Sequence, residues 1–446
     1  MLQPFFGNPL KISPLLFAFA LPVVLTGCGG GDTKIVERDP IPIEDDHDHD
    51  DEPTNQGRLL VAIKDQPKVG IWDITEATLL EEFTLTEPAS ALYASPSYRY
   101  GFVIQRLANR VNVIDSGLSQ EDHGDHKHDL IEAPRWLAFG TDKARPTHFT
   151  LTETQSVIFY DGNGDTTTPA QVGVYTEENI KNNTAGNVLE YTTHMHGAAQ
   201  ARGDYLLSTI RDPLITTSTL PDKVGLYKAS NGIYTEQQLF SENCPGLHGS
   251  AQNKTQIAFG CTDGVLVITQ TGDSFSAKKI ANPASFTSTT RVGTLFGDEH
   301  RAEFVGIAAG QFFAINTGAG TITPINWIDS ASTTTPTALA YGFADDGELF
   351  VILDNQGKVH LLNTNNWSIS TRIQAITSNI AALPAGSRFE LALTPGHTIY
   401  VSDPIANQIK QIDLDEANVS GSLQLTGTPA KIAWLGIAEP AGDHHH

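Results

Sequence analysis

Sulfur ligands are scarce in this chain of 446 residues, which has three cysteines and two methionines but 15 histidines. Basic residues are also scarce: 28 Lys and Arg face 51 Asp and Glu, which gives a formal net charge of −23. This charge repels polyanions, so the protein cannot gain the counterion release on which nucleic-acid binding depends. Nucleic acid is therefore excluded as a main partner. The same negative field concentrates divalent cations, although a soluble acidic surface explains the charge equally well.

A helical pattern is missing too. From Gly57 onward, no 12-residue window shows a helical stripe of apolar residues, and short β-rich runs alternate with turn residues. This pattern predicts an all-β protein. The runs recur in units of four, which is the composition of a β-propeller blade. One such unit is predicted at residues 134–178, with residues 135–139 as its first strand and His148 in its second.

The number of units and the chain ends complete the predicted fold. Counting the clearest pair of runs in each unit predicts an eight-bladed β-propeller over residues 57–438, with seven blades as the alternative. The first unit lacks an innermost strand, whereas the run at residues 431–435 has no unit of its own. We therefore expect the N- and C-terminal runs to close one blade, which removes free sheet edges.

The N-terminal segment lacks the length of a membrane span. Its apolar stretch at residues 12–25 follows a lone Lys11, is too short to cross a bilayer comfortably, and ends at Leu-Thr-Gly-Cys28. This is typical of a lipoprotein signal peptide at residues 1–27, with lipidation at Cys28. It predicts a periplasmic protein of a Gram-negative bacterium, lipid-anchored to a membrane, with the outer membrane favoured.

Both flanks of the predicted propeller are rich in polar residues. Residues 28–56 are rich in Gly, Pro, Asp and Glu without apolar periodicity, which predicts a flexible tether. His47 and His49 would make this tether a secondary site of metal capture. The tail at residues 439–446 ends in three histidines, and these fit either a collecting tail, an added tag or chance.

The densest group of ligand side chains is the segment EDHGDHKH at residues 121–128. Zinc prefers such a mixture of nitrogen and oxygen donors. The segment lies between the predicted third and fourth strands of a blade, where a tight turn would suffice, so its extra length indicates function. The predicted zinc ligands are His123, Asp125, His126 and His128. A solvated polar loop is the alternative.

Other histidines come together only if the propeller forms, because the first strand of each blade lines the central channel. His196 and His248 stand at the start of predicted first strands in consecutive units, and His194 lies two residues from His196. Together with His148, they are predicted metal ligands. Hydrogen-bonded structural histidines are the alternative.

Few cysteines are available for a disulfide or for metal binding. Without Cys28, only Cys244 and Cys261 are left, and an even number in an oxidising compartment predicts one disulfide. The alternative is a Cys-His-Cys metal site that includes His248.

Motifs of the common enzyme classes are absent as well. There is no Gly-x-Ser-x-Gly nucleophile elbow, no phosphate-binding glycine loop and no His-Glu-x-x-His helix. These absences predict a protein that is not an enzyme. Two alternatives stay open: a propeller hydrolase or lactonase that uses a metal in the channel, and a non-catalytic interaction scaffold.

Four segments resemble the AztD family of periplasmic zinc metallochaperones, β-propeller proteins that load the substrate-binding protein of a zinc ABC importer. The segments are DHGDHKH (122–128), PTH with FYDGNG (146–148 and 159–164), HG with GDYLL (196–197 and 203–207), and CPGLHG with AFGCTDGV (244–249 and 258–265). The last segment is the most specific.

The resemblance implies a function and a set of site residues. The protein would capture Zn²⁺ and pass it by ligand exchange to the substrate-binding protein of a zinc ABC importer, while the N-terminal lipid contacts the membrane. Zinc would be carried by the histidines of residues 123–128. His148, His196 and His248 would lie close to that zinc or form a second site, and the two cysteines would form the disulfide.

Overall fold

The computed structural model describes residues 57–122, 127–287, 289–329 and 335–438, with only the backbone of Asp122. The description below concerns the unit Pro53–His446 of the chain. Several predicted features lie outside the described residues: the signal peptide, Cys28, the tether with His47 and His49, the loop residues 123–126, and the tail at residues 439–446. The domain boundaries stay predictions.

The described part of the chain is almost entirely β-structure, as predicted. Its first sheet contains β1 (Gly57–Ile63), β2 (Lys68–Asp73), β3 (Thr78–Thr84) and the last strand, β34 (Pro429–Gly436). The second sheet contains β4 (Ala91–Ala94), β5 (Tyr100–Gln105), β6 (Arg110–Asp115) and β9 (Arg135–Thr141), and a separate hairpin of β7 (Leu118–Asp122) and β8 (Lys127–Ile131) is inserted between β6 and β9.

An eight-stranded sheet follows, built from two successive groups of four strands. The groups are β10 (Pro146–Leu151), β11 (Gln155–Tyr160), β12 (Gln171–Thr176), β13 (Asn187–Glu190), then β14 (Ala199–Arg202), β15 (Tyr205–Ile210), β16 (Lys223–Ser230), β17 (Ile233–Leu239). A single parallel pair, Val188 with Ile233, joins the two groups. The α-helix α1 (Glu177–Asn182) lies in the connection from β12 to β13.

Four more four-stranded sheets complete the fold. The first two are β18 (Ser250–Gln252), β19 (Gln256–Cys261), β20 (Gly264–Thr271), β21 (Ser274–Ala281), and then β22 (Val292–Phe296), β23 (Phe304–Ala308), β24 (Gln311–Asn316), β25 (Thr321–Pro324). The third is β26 (Ala338–Ala344), β27 (Leu349–Asp354), β28 (Lys358–Asn363), β29 (Ser368–Gln374). The fourth is β30 (Leu391–Leu393), β31 (Thr398–Asp403), β32 (Gln408–Asp413), β33 (Asn418–Gln424). A 3-10 helix, Ile380–Ala382, precedes β30.

These sheets form a β-propeller, and apolar residues from neighbouring sheets form the core between them. Leu60 and Ile71 of the first sheet, for example, pack with Val103 of the second in one fully buried cluster. The inner strands, such as β5 and β11, consist of β-branched and aromatic runs because they are buried on both faces, whereas outer strands such as β3 and β17 are largely exposed. The predicted count of eight blades requires the eight-stranded sheet to be divided at its parallel pair, so the count stays a prediction.

The predicted closure of one blade by the two chain ends is confirmed. Strand β1 pairs antiparallel with β34, from Gly57 opposite Gly436 to Ala62 opposite Lys431. This pairing gives the first sheet the innermost strand that its sequence unit lacks. Neither helix in the described part of the chain is long and apolar enough to cross a membrane.

The predicted strand order was wrong around residue 135. Residues 135–139 belong to β9, the fourth strand of the second sheet, and His148 lies in β10, the first strand of its own unit rather than the second. The error has a physical cause: the inserted hairpin of β7 and β8 separates β9 from its own sheet in sequence, so β9 resembled the start of the next unit.

Candidate metal centre

Three histidines from three successive four-strand groups meet at one end of their strands. His148 lies in β10, His196 precedes β14 by three residues, and His248 precedes β18 by two. Each offers a ligand nitrogen within 4.8 Å of the other two, and no other group of three metal-ligating side chains in the described ranges is this close. Because the three strands occupy equivalent positions in their units, the fold brings together side chains about 50 residues apart in sequence.

The distances between the ring nitrogens suit a tetrahedral ion. His148 Nε2 lies 3.2 Å from His196 Nε2, which lies 3.0 Å from His248 Nε2. Two nitrogen ligands of a tetrahedral zinc ion, each at about 2.0 to 2.1 Å, are about 3.3 Å apart. The observed separations are therefore close to those that a shared zinc ion requires.

Hydrogen bonds to the other ring nitrogens determine which way the lone pairs point. His248 Nδ1 lies 2.6 Å from the carbonyl oxygen of Gly293, and His196 Nδ1 lies 3.0 Å from Asp161 Oδ2. Both oxygens only accept hydrogen bonds, so each Nδ1 carries the proton. In the neutral rings, the lone pairs of two Nε2 atoms then face each other at 3.0 Å. A cation between them would convert this repulsion into coordination.

The environment keeps two of these imidazoles deprotonated. Burial, followed by the positive charge that His196 would carry, lowers the pKa of His148 to about 4. Burial also lowers the pKa of His248, and its hydrogen bond to Gly293 only partly opposes this. Because metal binding requires neutral imidazole, protons compete weakly with a metal at these two residues near pH 7.

Asp161 and Arg106 surround the cluster with a second layer of polar contacts that sequence reasoning missed. Asp161 follows β11 and is 7% exposed. Its Oδ2 atom accepts from His196 and also from Arg106 Nη2 at 3.1 Å, while Arg106 Nε donates to Thr147 Oγ1 at 3.0 Å. The only sequence feature that could have indicated this role of Asp161 was its position inside the FYDGNG segment.

The disulfide predicted from the cysteine count is present. The sulfur atoms of Cys244 and Cys261 are 2.03 Å apart, and both residues are fully buried. The alternative of a Cys-His-Cys metal site is therefore wrong, because both sulfurs are already bonded. The bridge anchors the segment that ends at His248, whose backbone N–H donates to the carbonyl of Gly260 at 3.0 Å.

His194 is not part of the three-histidine cluster. Its ring lies beside Gly164, and its carbonyl oxygen accepts a hydrogen bond from Arg211 Nη1 at 2.6 Å. Met195, between the two histidines, is buried in the core. A role for His194 as a metal ligand stays a prediction.

The histidine-rich hairpin projects from the opposite end of the second sheet. Its base follows Asp115, which pairs with Tyr100 at the start of β5, whereas Arg106, which reaches the cluster, follows the end of β5. Strand β5 separates these ends by roughly 17 Å at about 3.3 Å per residue. His128 lies in β8 on this hairpin and is exposed, while His123, Asp125 and His126 lie outside the described residues. These positions favour two separate groups of histidines over one shared site.

A large cavity also lies at the hairpin end, away from the cluster. It has a volume of about 790 Å³ and is lined by the turns that follow the innermost strands, including Glu153 and Glu299. A hydrogen bond that protonated Glu299 donates to Glu153, together with burial, raises the pKa of Glu299 to about 7. No three ligand groups in its described lining converge as the histidines do. The donor geometry therefore places the candidate centre at the cluster rather than in the larger cavity.

The fold and this cluster together define a class: a disulfide-bonded β-propeller protein with a candidate three-histidine metal centre. Among curated proteins, the chain is similar to the zinc chaperone AztD of Citrobacter koseri, with 25% identity over 402 residues that cover 89% of this chain and 90% of the relative. The resemblance to AztD that the four segments indicate is thereby confirmed. No protein-family model matches the chain.

Solved structures show the same fold. Apo AztD from Citrobacter koseri has a TM-score of 0.70 at 22% identity, and a second structure of Citrobacter koseri AztD has a TM-score of 0.69. Each match covers 86% of this chain and 99% of the other. Dihydro-heme d1 dehydrogenase NirN is more distant, with a TM-score of 0.53 at 10% identity over 85% of this chain and 75% of that one. This last similarity concerns the fold alone.

Proposed function

We propose that this protein is a zinc chaperone that binds Zn²⁺ through His148, His196 and His248 and passes it to the substrate-binding protein of a zinc ABC importer. The observation that carries the proposal is the convergence of three Nε2 atoms, with neighbouring separations of 3.0 and 3.2 Å. The similarity to a curated zinc chaperone over nearly the whole chain supports zinc as the cargo.

Transfer would proceed by ligand exchange at an open coordination position. Three protein nitrogens leave the fourth position of a tetrahedral zinc ion vacant for an incoming group. The side chain of His196 is 28% exposed, so an imidazole or carboxylate of the acceptor can approach from solvent. The acceptor's ligands would replace the histidines one at a time, so the ion is never released into water. This transfer breaks no covalent bond, and the protein would not be an enzyme.

The location and the accessory ligands belong to the same proposal. A disulfide is typical of a protein outside the cytoplasm, which supports a periplasmic location. Lipidation at Cys28 would keep the donor at a membrane surface. The hairpin histidines, together with His47 and His49, would act as separate groups that raise the local zinc concentration.

Zinc titration tests the site. The metal-free mature protein is titrated in competition with a chromophoric chelator, and so are two triple variants: His148, His196 and His248 to Ala, and His123, His126 and His128 to Ala. We expect the first variant to lose one zinc equivalent and the second to retain it. If the first variant binds as much zinc as the parent with the same affinity, the cluster is not a zinc site.

Cobalt and an acceptor test the coordination and the mechanism. Co²⁺ at the cluster should give the intense visible absorption of a four-coordinate ion, and the His148, His196 and His248 variant should lack it. Mixing the zinc-loaded protein with an apo acceptor then measures transfer. Ligand exchange predicts a rate that increases with acceptor concentration, whereas a rate independent of the acceptor would mean that zinc dissociates first.

A further inference from the structure

A permanent positive charge lies unexpectedly close to the candidate zinc centre. Arg106 belongs to the turn after β5, and its Nη2 atom donates to Asp161 Oδ2 at 3.1 Å. The same oxygen lies 3.0 Å from His196 Nδ1. A guanidinium two contacts away from a divalent cation repels that cation, and the arginine cannot lose its charge by deprotonation.

Arg106 also competes for the carboxylate that supports His196. When a metal binds Nε2, the Nδ1–H group becomes a stronger donor, and a carboxylate that accepts from it strengthens the metal bond. Here the accepting oxygen is shared with Arg106, so part of its negative charge is already neutralised. The second oxygen of Asp161 is buried and has no hydrogen-bond partner within the described ranges, so Oδ2 alone accepts from both Arg106 and His196.

The arginine is held in this position by a further contact. Its Nε atom donates to Thr147 Oγ1 at 3.0 Å, and Thr147 in turn donates to the carbonyl of Arg145 at 2.8 Å. Thr147 immediately precedes the ligand His148. Arg106 therefore reaches from the second sheet to residues beside two of the three candidate ligands.

We propose that Arg106 is a positioning residue that weakens zinc binding at the cluster, so that the ion stays exchangeable. The inference rests on the proposed function of the cluster as a zinc site. A purely structural arginine would make the opposite prediction, because its removal would loosen Asp161 and His148 and lower the affinity. The sign of the change therefore separates the two roles.

The experiment uses the full mature protein with His123, His126 and His128 replaced by Ala, so that the titration reports the cluster. In this background, Arg106→Gln is expected to tighten zinc binding by about threefold to tenfold, less than the tenfold to hundredfold typical of direct contacts to ligands. Release of zinc to excess chelator should slow by a similar factor. Arg106→Lys keeps the positive charge but cannot make both contacts of the guanidinium, so it should tighten zinc binding less than Arg106→Gln does.

Arg110→Gln is the matched control. Arg110 lies four residues further along the chain and pairs with Asp142 at 2.8 Å instead of Asp161. Its replacement removes the same charge from the same sheet and should leave zinc affinity unchanged. In Asp161→Asn protein, the gain from Arg106→Gln should shrink, because the carboxylate through which the arginine acts is gone.

Weaker or unchanged zinc binding in Arg106→Gln would overturn the inference. Circular dichroism and thermal unfolding establish that each variant is folded, and Arg106→Met, which keeps the aliphatic stem, answers the same question if the Gln variant is unstable. If the background protein itself binds no zinc, the proposed function of the cluster fails, and that result is distinct from a failure of the role of Arg106.

Discussion

The ring of His196 joins Asp161 to the candidate metal centre: Nδ1 lies 3.0 Å from Asp161 Oδ2, and Nε2 faces the Nε2 atoms of His148 and His248. Any change at the Asp161 carboxylate should therefore alter the metal affinity of the cluster through the His196 imidazole.

Asp161→Asn should weaken zinc binding at the cluster about tenfold, because an amide accepts a weaker hydrogen bond from His196 and can hold the ring in the wrong tautomer. Competition with a chromophoric chelator measures the change. Asp161→Glu retains the charge and should recover part of the affinity. Equal affinities for the parent and Asp161→Asn would show that the carboxylate does not act on the ligand.

The lowered pKa of His148 predicts that the metal-free protein loses stability in mild acid. The pKa is about 4 in the folded state and about 6.5 in an unfolded chain, so the unfolded state binds more protons between these values. Stability therefore falls as pH falls through this window, by about 2 kcal/mol between pH 7 and pH 5. Urea unfolding at both pH values measures it. His148→Gln should reduce the difference by that amount, and an undiminished difference would contradict the assignment.

Replacing both cysteines with Ala should destabilise the protein and disturb the cluster. The bridge joins residues 17 apart, and a loop of this size contributes about 3 kcal/mol. Cys244 lies four residues before His248, so zinc affinity at the cluster should fall as well. Denaturant unfolding and zinc titration measure the two effects separately. Unaltered zinc affinity in a destabilised variant would show that other contacts suffice to hold His248.

The closing strand should contribute strongly to stability. Leu435 in β34 is fully buried against the core cluster that contains Leu60, so Leu435→Ala should cost about 2 to 5 kcal/mol. Val419→Ala in β33, where the residue is 39% exposed, is the control and should cost about 1 kcal/mol or less. The midpoint of denaturant unfolding measures both changes. Equal midpoints for the two variants would mean that the closure contributes little.

The hairpin and the cluster should bind metal independently, because they lie at opposite ends of β5. Replacing His123, His126 and His128 with Ala should leave the affinity of the cluster within about twofold, as expected for sites with no shared contacts. Cobalt absorption assigned to the cluster provides the readout. A large loss of this absorption would show that the hairpin supplies a ligand to the cluster.

Local sequence patterns were sufficient to predict most strands, the closure by β34 and the cysteine pairing, since each depends on periodicity or composition. They failed at β9, where the inserted hairpin interrupted the repeat and moved His148 into the wrong strand. The contact between Arg106 and Asp161 could not be inferred, because 55 residues separate them and only the packing of adjacent sheets brings them together. The position of the His194 ring beside Gly164 likewise depends on tertiary packing, which a spacing of two residues does not reveal.

The three candidate ligands come from three successive groups of strands, so an ion bound to all of them would link neighbouring blades. Loading would then stiffen this sector of the molecule and slow the exchange of its backbone amide protons, and unloading would relax it. The loaded and the empty forms of the protein would thus differ in rigidity as well as in the bound ion.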